Sequence, residues 1–444
     1  MTTLAHIHRY GAALFILAAG LAGTSNADDD KSPRPIRVLW PAHDAPMVQD
    51  WAQFRGPGGL GIAGDKNLPA EWSDDKNLLW KTKLPGRGAS SPIIVGDKIY
   101  LTCWSGAVTK KSTAALKRHL LCFDRAGKQL WQKDFAPPAK DYPNKGFTAL
   151  HGYASSTPVS DGKSLFVYFG AAGVFAFDLA GNQLWQASVG KKINEWGSGA
   201  SPVLFQNLVI INADVEAAEI VALDQATGKK IWTHKLKGDE SWATPLLVPV
   251  ADKTELVVGI DKSMLGLDAL TGKLLWTCRG IEDYICPSAV ADNGIIYAVG
   301  GLTAPGAMAV KAGGRGDVTD SHRLWAITKG SNVCSPVYHA GHLYWAHDER
   351  GVVYCADAKT GKVVYQERLP AADRIYAAAT LADGKIYYVS RTNGVYVLQT
   401  GPQFKLLAHN RFVSDSSVFN ASPAISEGRV YLRSDQALYC LGNK

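Results

Sequence analysis

His151, in the stretch LHGYASS (150–156), is the residue of this 444-residue chain best suited to acid–base work. Its imidazole titrates near neutrality, a glycine follows it, and an apolar strand begins a few residues later. No G-x-S-x-G elbow, phosphate-binding loop or H-E-x-x-H pair accompanies it, so by sequence alone it reads as a loop histidine. Three carboxylates, Glu195, Glu240 and Asp283, recur about one repeat length apart and could converge on a hard cation. Solvated loop carboxylates are the plainer reading, because Asp and Glu are seldom buried unpaired. The seven cysteines show no C-x-x-C pair and no metal spacing. The tripeptide RGD (315–317) lies in a glycine-rich turn and reads as chance.

What must position these residues is a repeat. FDRAGKQLW (123–131), FDLAGNQLW (177–185), LDQATGKKIW (223–232), LDALTGKLLW (267–276) and ADAKTGKVVY (356–365) share a turn followed by an aromatic. Eight apolar starts, among them SSPIIVGDKIYLTC, ASPVLFQNLVIIN, CSPVYHAGHLYWAH and ASPAISEGRVYLRS, give the period, most lying 42 to 49 residues apart. Each unit reads as four short strands with period-2 alternation, and glycine in the turn suits a positive φ. Four-stranded units of about 40–45 residues repeated radially predict an all-β, eight-bladed β-propeller of antiparallel blades. Blades widen outward, so a large flat residue on each outermost strand fills the gap to the next. Trp80, Trp131, Trp185, Trp232, Trp276 and Trp325 hold that position, with Tyr365 as a substitute. The eighth unit ends at QALYCLGNK after three strands, while NLLWKTKL (77–84) precedes the first; pairing the two would close the ring.

Three segments follow. Residues 1–27 read as a signal peptide, with an apolar stretch too short to span a membrane and a small-residue cleavage site. Residues 28–50 are a Pro-rich, charged lead, and 51–444 form the propeller, with 51–72 expected to dock along it. The mature chain is expected in a periplasm or cell exterior, as a monomer without a transmembrane segment. A net charge of +7 with scattered Lys and Arg gives nucleic-acid binding little support. Cys122, Cys355 and Cys440 share one repeat position where other units have Ala, which marks a small buried residue. Cys103 and Cys122 could face each other on neighbouring strands and form a disulfide in an oxidising compartment.

The repeats, with the opening WAQFRGPGGLG…LPAEW…LLWKTKLPGRGASSP, resemble the pyrroloquinoline-quinone (PQQ)-like propeller family, and within it the secreted group likened to BamB. The resemblance covers about residues 51–444 and implies the fold more than the function. One branch, the quinoprotein dehydrogenases, implies PQQ and Ca²⁺ near the axis beside a vicinal disulfide; this chain has no adjacent cysteines and no matching carboxylate–Asn set. The BamB-like branch implies no cofactor and no catalysis, and action through loops that grip other proteins.

Strand order places the inter-blade loops and those between second and third strands on one face. That face is expected to gather Arg87, His151, Tyr153, Glu195, Trp196, Glu240, Trp242, Asp283, Tyr284, Asn332, Arg374, Tyr376 and Asn420, with long loops at 104–118 and 136–153. Polar caps and aromatic plugs that merely close a channel would look the same. The leading expectation is a non-catalytic exported scaffold binding a protein or envelope ligand there. The alternatives are a PQQ- and Ca²⁺-dependent alcohol or sugar oxidoreductase and a carbohydrate-binding module.

Overall fold

Each repeat folds into one sheet because short apolar runs are separated by residues that tolerate tight turns. In the third unit, Val203–Phe205, Leu208–Ala213, Glu219–Asp224 and Lys230–Lys235 pair in sequence order. Gln206, at φ 52°, turns the first hairpin. The second strand is buried throughout, and the outermost alternates with solvent. The computed structural model describes residues 51–238, 240–301 and 305–443; the expected signal peptide and Pro-rich lead lie outside the described residues. It contains eight such blades, and the eighth is completed from the other end of the chain. Leu78–Lys83 pairs antiparallel with Ala437–Leu441, setting Trp80 opposite Cys440 and Lys81 opposite Tyr439. No described helix is long and apolar enough to cross a membrane.

The rim shows why the turn and the aromatic repeat together. Every outermost strand carries a β-bulge just before the aromatic position, which re-aims that side chain. The residue opposite must be small: Cys122, Ala176, Ala222, Gly266, Ala309, Cys355 and Cys440 face Trp131, Trp185, Trp232, Trp276, Trp325, Tyr365 and Trp80. The turn glycine of the next blade then packs on the indole. A Cβ on Gly127, Gly181, Gly228, Gly272 or Gly361 would sit 2.7, 3.1, 2.6, 2.3 or 2.7 Å from the ring of Trp80, Trp131, Trp185, Trp232 or Trp325. The indole N–H groups of Trp80, Trp185 and Trp325 donate to carbonyls of the neighbouring turn, at 2.8–2.9 Å. Tyr365 meets Phe404 instead, edge-on at 5.8 Å.

Two blades depart from this pattern. Trp276 is wholly buried over Gly266 of its own sheet and donates to Glu255 Oε2 at 2.7 Å. The fifth unit's insertion covers it, Gly316–Asp317 adding a parallel fifth strand beside Leu274–Arg279. In blade 7 the aromatic position is Ala408, opposite the larger Val397. Trp72, from the segment before blade 1, joins the same apolar cluster and stacks on Tyr387 at 6.2 Å.

A second repeated device lies at the axis. At six of the eight junctions the hydroxyl before an inner strand accepts the N–H of its counterpart one blade earlier. Ser91 donates to Thr157, Thr157 to Ser201, Ser201 to Thr244, Ser288 to Ser335, Ala378 to Ser422 and Ser422 to Ser91, all at 2.8–3.1 Å. This gives the S/T-P starts a physical reason. Residues 51–63 then cross the axis. Trp51 and Ala52 carbonyls accept from Ile94 and Ser160, Gly61 and Ala63 pair with Leu381, and buried Arg55 donates to the Ser288 and Pro336 carbonyls.

The disulfide expectation is corrected here. Cys122 stands opposite Tyr100 and Cys103 opposite His119, so the two thiols are out of register on neighbouring strands, and both are free.

Candidate functional site

Blade starts and inter-blade loops enclose a cavity at the axis with about 930 Å³ of empty space, counting the part open to solvent. Phe54, from the crossing segment, lines it and also a second, apolar cavity between the inner strands of blades 3 and 4. The first cavity is where the expected residues converge. Its wall is a cluster of rings: Phe147 stacks on Trp196 at 4.4 Å and 10°, and Trp196 meets Trp242 at 5.7 Å and Tyr284 at 5.3 Å. Trp242 is fixed through its indole N–H, which donates to the Gly197 carbonyl at 2.8 Å. Tyr376 contributes a further ring, covered on one side by the Arg391 guanidinium at 4.8 Å. Asn420 accepts from Arg391 Nε (2.8 Å) and donates to the Leu150 carbonyl (3.1 Å).

The loop that brings Phe147 and His151 is tied to the blades through buried charge. Arg118 grips Asp141 in a two-bonded pair, 2.6 and 2.8 Å, and donates to the Tyr153 carbonyl at 3.0 Å. Next along, Tyr142 donates to buried Glu216, which also accepts from Tyr168 at 2.5 Å. Burial pushes the Glu216 carboxyl up, against the two hydroxyls that hold it down.

His151 lines the cavity, with Nδ1 2.5 Å from Ser155 Oγ and Nε2 2.7 Å from the Trp196 carbonyl oxygen. Burial lowers its pKa, which keeps the imidazole neutral around pH 7.

Of the thirteen expected residues, His151, Trp196, Trp242, Tyr284, Tyr376 and Asn420 line this cavity. The other seven do not line it. Arg87 lies over Trp104 at 5.4 Å, outside the lining. Tyr153 is buried edge-on against Trp104 beside a separate, water-sized void. Glu195 pairs with Lys145 at 3.0 Å, and Arg374 reaches Glu349 at 3.9 Å. Asn332 is buried, its N–H held by Asp348 and its amide 3.5 Å from Asp283, which caps the Tyr284 N–H. Glu240 is partly exposed and does not line the cavity. Among the described residues no group of three or more His, Cys, Asp or Glu could hold a metal ion. Phe147, Ser155 and Phe54 were not singled out. Phe147 and Ser155 lie in or just after a non-repeated loop, and Phe54 arrives from the far end of the sequence, so only tertiary contact reveals them.

A protein-family model described as outer membrane protein assembly factor BamB matches residues 58–191, 170–311 and 309–403. The outer membrane protein assembly factor BamB of Burkholderia pseudomallei is 24% identical over 458 residues, covering 98% of each chain. A tetrathionate hydrolase of Acidithiobacillus ferrooxidans is 22% identical over 317 residues, 66% of this chain and 61% of that one. Among solved structures, BamB from Moraxella catarrhalis superposes with a TM-score of 0.58 at 14% identity, covering 82% of this chain and 99% of that one. Quinohemoprotein alcohol dehydrogenase from Comamonas testosteroni gives 0.60 at 13%, covering 90% and 82%. At these identities the structural likenesses speak for the fold alone.

Proposed function

The chain belongs to the family described as outer membrane protein assembly factor BamB, and from that premise we propose that it is an exported scaffold that captures a protein or other cell-envelope component through its inter-blade face. The observation that carries this reading is the ring cluster of Phe147, Trp196, Trp242 and Tyr284 facing an open cavity at the axis. Aromatic anchors around a concave, partly desolvated site supply most of the binding energy in typical interfaces. The leader-like sequence and the family's name support a periplasmic or extracellular location. The donor set weighs against a calcium–quinone pair: calcium takes six to eight oxygen ligands, carboxylates prominent among them, and among the described residues no carboxylate lines the cavity. Six aromatic rings line the cavity beside five Ser and Thr hydroxyls, and the surface they expose is mainly apolar, which suits an apolar anchor.

The test is the double variant Trp196→Ala/Tyr376→Ala, at two partly exposed ring positions. It is expected to lose capture of its partner from envelope extract while its melting temperature falls by no more than about 5 °C, the cost of two partly exposed rings in a chain of this length. Unchanged capture would reject the cavity as the gripping site.

A further inference from the structure

His151 and Ser155 stand together in a way that gripping a partner does not require. The Trp196 carbonyl can only accept a hydrogen bond, so His151 Nε2, 2.7 Å away, carries the proton. Nδ1 is then an unprotonated acceptor, and the Ser155 hydroxyl lies 2.5 Å from it. The other acceptor within reach of that hydroxyl, the His151 carbonyl, is farther, at 3.3 Å. Hydroxyl, base and an acceptor that fixes the base's tautomer are the three parts of an activated nucleophile. Both residues line the cavity, Ser155 is only partly buried, and among the described residues no charged side chain shares the lining.

We propose that Ser155 is a nucleophilic serine with His151 as its base, and that the cavity admits esters of apolar or aromatic carboxylic acids. Ser155 Oγ bonds to the ester carbonyl carbon as its proton moves to His151 Nδ1. The bond from that carbon to the alcohol oxygen breaks, and the departing alkoxide takes the proton from Nδ1. Water, deprotonated by the same nitrogen, then cleaves the acyl-serine; the carboxylic acid leaves and the serine regains its proton. The class of acyl group follows from the walls. Phe147, Trp196, Trp242 and Tyr284 offer ring surface, and an ionised acyl group would lose hydration with no cation in the lining to replace it. This assignment does not rest on the scaffold reading: a scaffold could grip its partner with Ser155 inert.

The test treats the full chain with a fluorophosphonate probe, followed by intact mass and peptide mapping. One adduct is expected, on Ser155, absent in Ser155→Ala and formed at least roughly 100-fold more slowly in His151→Gln. p-Nitrophenyl benzoate is expected to acylate the chain at least about tenfold faster than its 4-carboxylate analogue, since a charged group resists an uncharged lining. No adduct on Ser155, under conditions that label a control serine esterase completely, overturns the proposal. So does equal labelling of a folded His151→Gln. The mapping on the parent chain decides the nucleophile even if a variant fails to fold, and equal rates for the two esters overturn the acyl class. Envelope capture by Ser155→Ala, run alongside, separates loss of this chemistry from loss of the gripping function.

Discussion

At the rim, five turn glycines meet five indoles in the same way; at the axial mouth the blade connections supply rings at some junctions and Val333 or Asn420 at others. Blade connections supply Phe147 and His151, then Trp196, Trp242, Tyr284, Val333, Tyr376 and Asn420 in turn. The rim solves a problem each blade shares, the widening gap to its neighbour, so its solution repeats. The mouth must present one asymmetric surface from eight similar parts, so it is built where the units stop agreeing. In a repeat protein, then, sameness marks packing and departure marks the place to look for function.

The comparison breaks first if the rim contacts are dispensable. Gly272→Val would set a branched side chain at φ +69° with its Cβ 2.3 Å from the Trp232 ring. Overpacking and positive-φ strain together predict a loss of about 3–5 kcal/mol in urea unfolding. Trp232→Ala alone predicts about 3–5 kcal/mol. The double variant should be less destabilised than the sum of the two, because the alanine makes room for the valine. Strict additivity would mean that glycine and indole do not act as a pair.

The rim was legible in the sequence because each of its parts recurs: the turn, the aromatic, and a small residue that is Cys in three blades and Ala or Gly in four. Ring closure was legible because one unit lacked a strand and another segment had one to spare. Blade order also brought six of the thirteen mouth candidates to the cavity. It does not bring Tyr153 there, whose carbonyl is held by the Arg118–Asp141 pair, nor Glu195, which pairs with Lys145. Repeats predict which face a loop joins; they carry no information on how a single unrepeated loop packs. The disulfide expectation failed for a related reason. Both cysteines lie on adjacent strands, but only the actual register shows Cys103 three places away from the residue opposite Cys122.

The two regions also differ in how their aspartates titrate. At the rim turns, Asp178, Asp224 and Asp357 accept hydrogen bonds from Asn182, Thr227 and Thr360, which hold their carboxyls below the usual range. They therefore favour the folded state above about pH 4 and lose that contribution as pH falls. Asp214, buried between blades 3 and 4, accepts from the Ser241 N–H, yet burial pushes it up to about 6. Its sign is opposite: the folded chain holds the proton better, so its contribution is complete below about pH 4 and is lost between about pH 4 and 6. Asp214→Asn should flatten that part of the stability profile by on the order of 2 kcal/mol. An unchanged profile would mean that Asp214 is as solvated as the turn aspartates.

The smallest effect tests the one place where axis and rim obey the same rule. The hydroxyl ring has two gaps. Ser288 is present but its Oγ has no hydrogen-bond partner, while at the blade 6–7 junction Ala378 stands where a hydroxyl is needed. The first gap is one of geometry and would not respond to a change of residue type. The second is one of composition. Ala378→Ser restores an acceptor one blade along from the Ser335 N–H, and one neutral hydrogen bond at a buried site predicts a gain of about 0.5–1.5 kcal/mol. Ser201→Ala, which leaves the Thr157 N–H without its acceptor at 3.0 Å, predicts a loss of about 1–3 kcal/mol. Ala378 also lines the cavity, so the substitution adds a hydroxyl to the mouth. If Ala378→Ser stabilises the chain but weakens capture, the gap in the ring belongs to the apolar site, and this departure from the repeat serves binding. If stability does not rise, the hydroxyls before the inner strands only follow the backbone, and the ring is not what joins the blades at the axis.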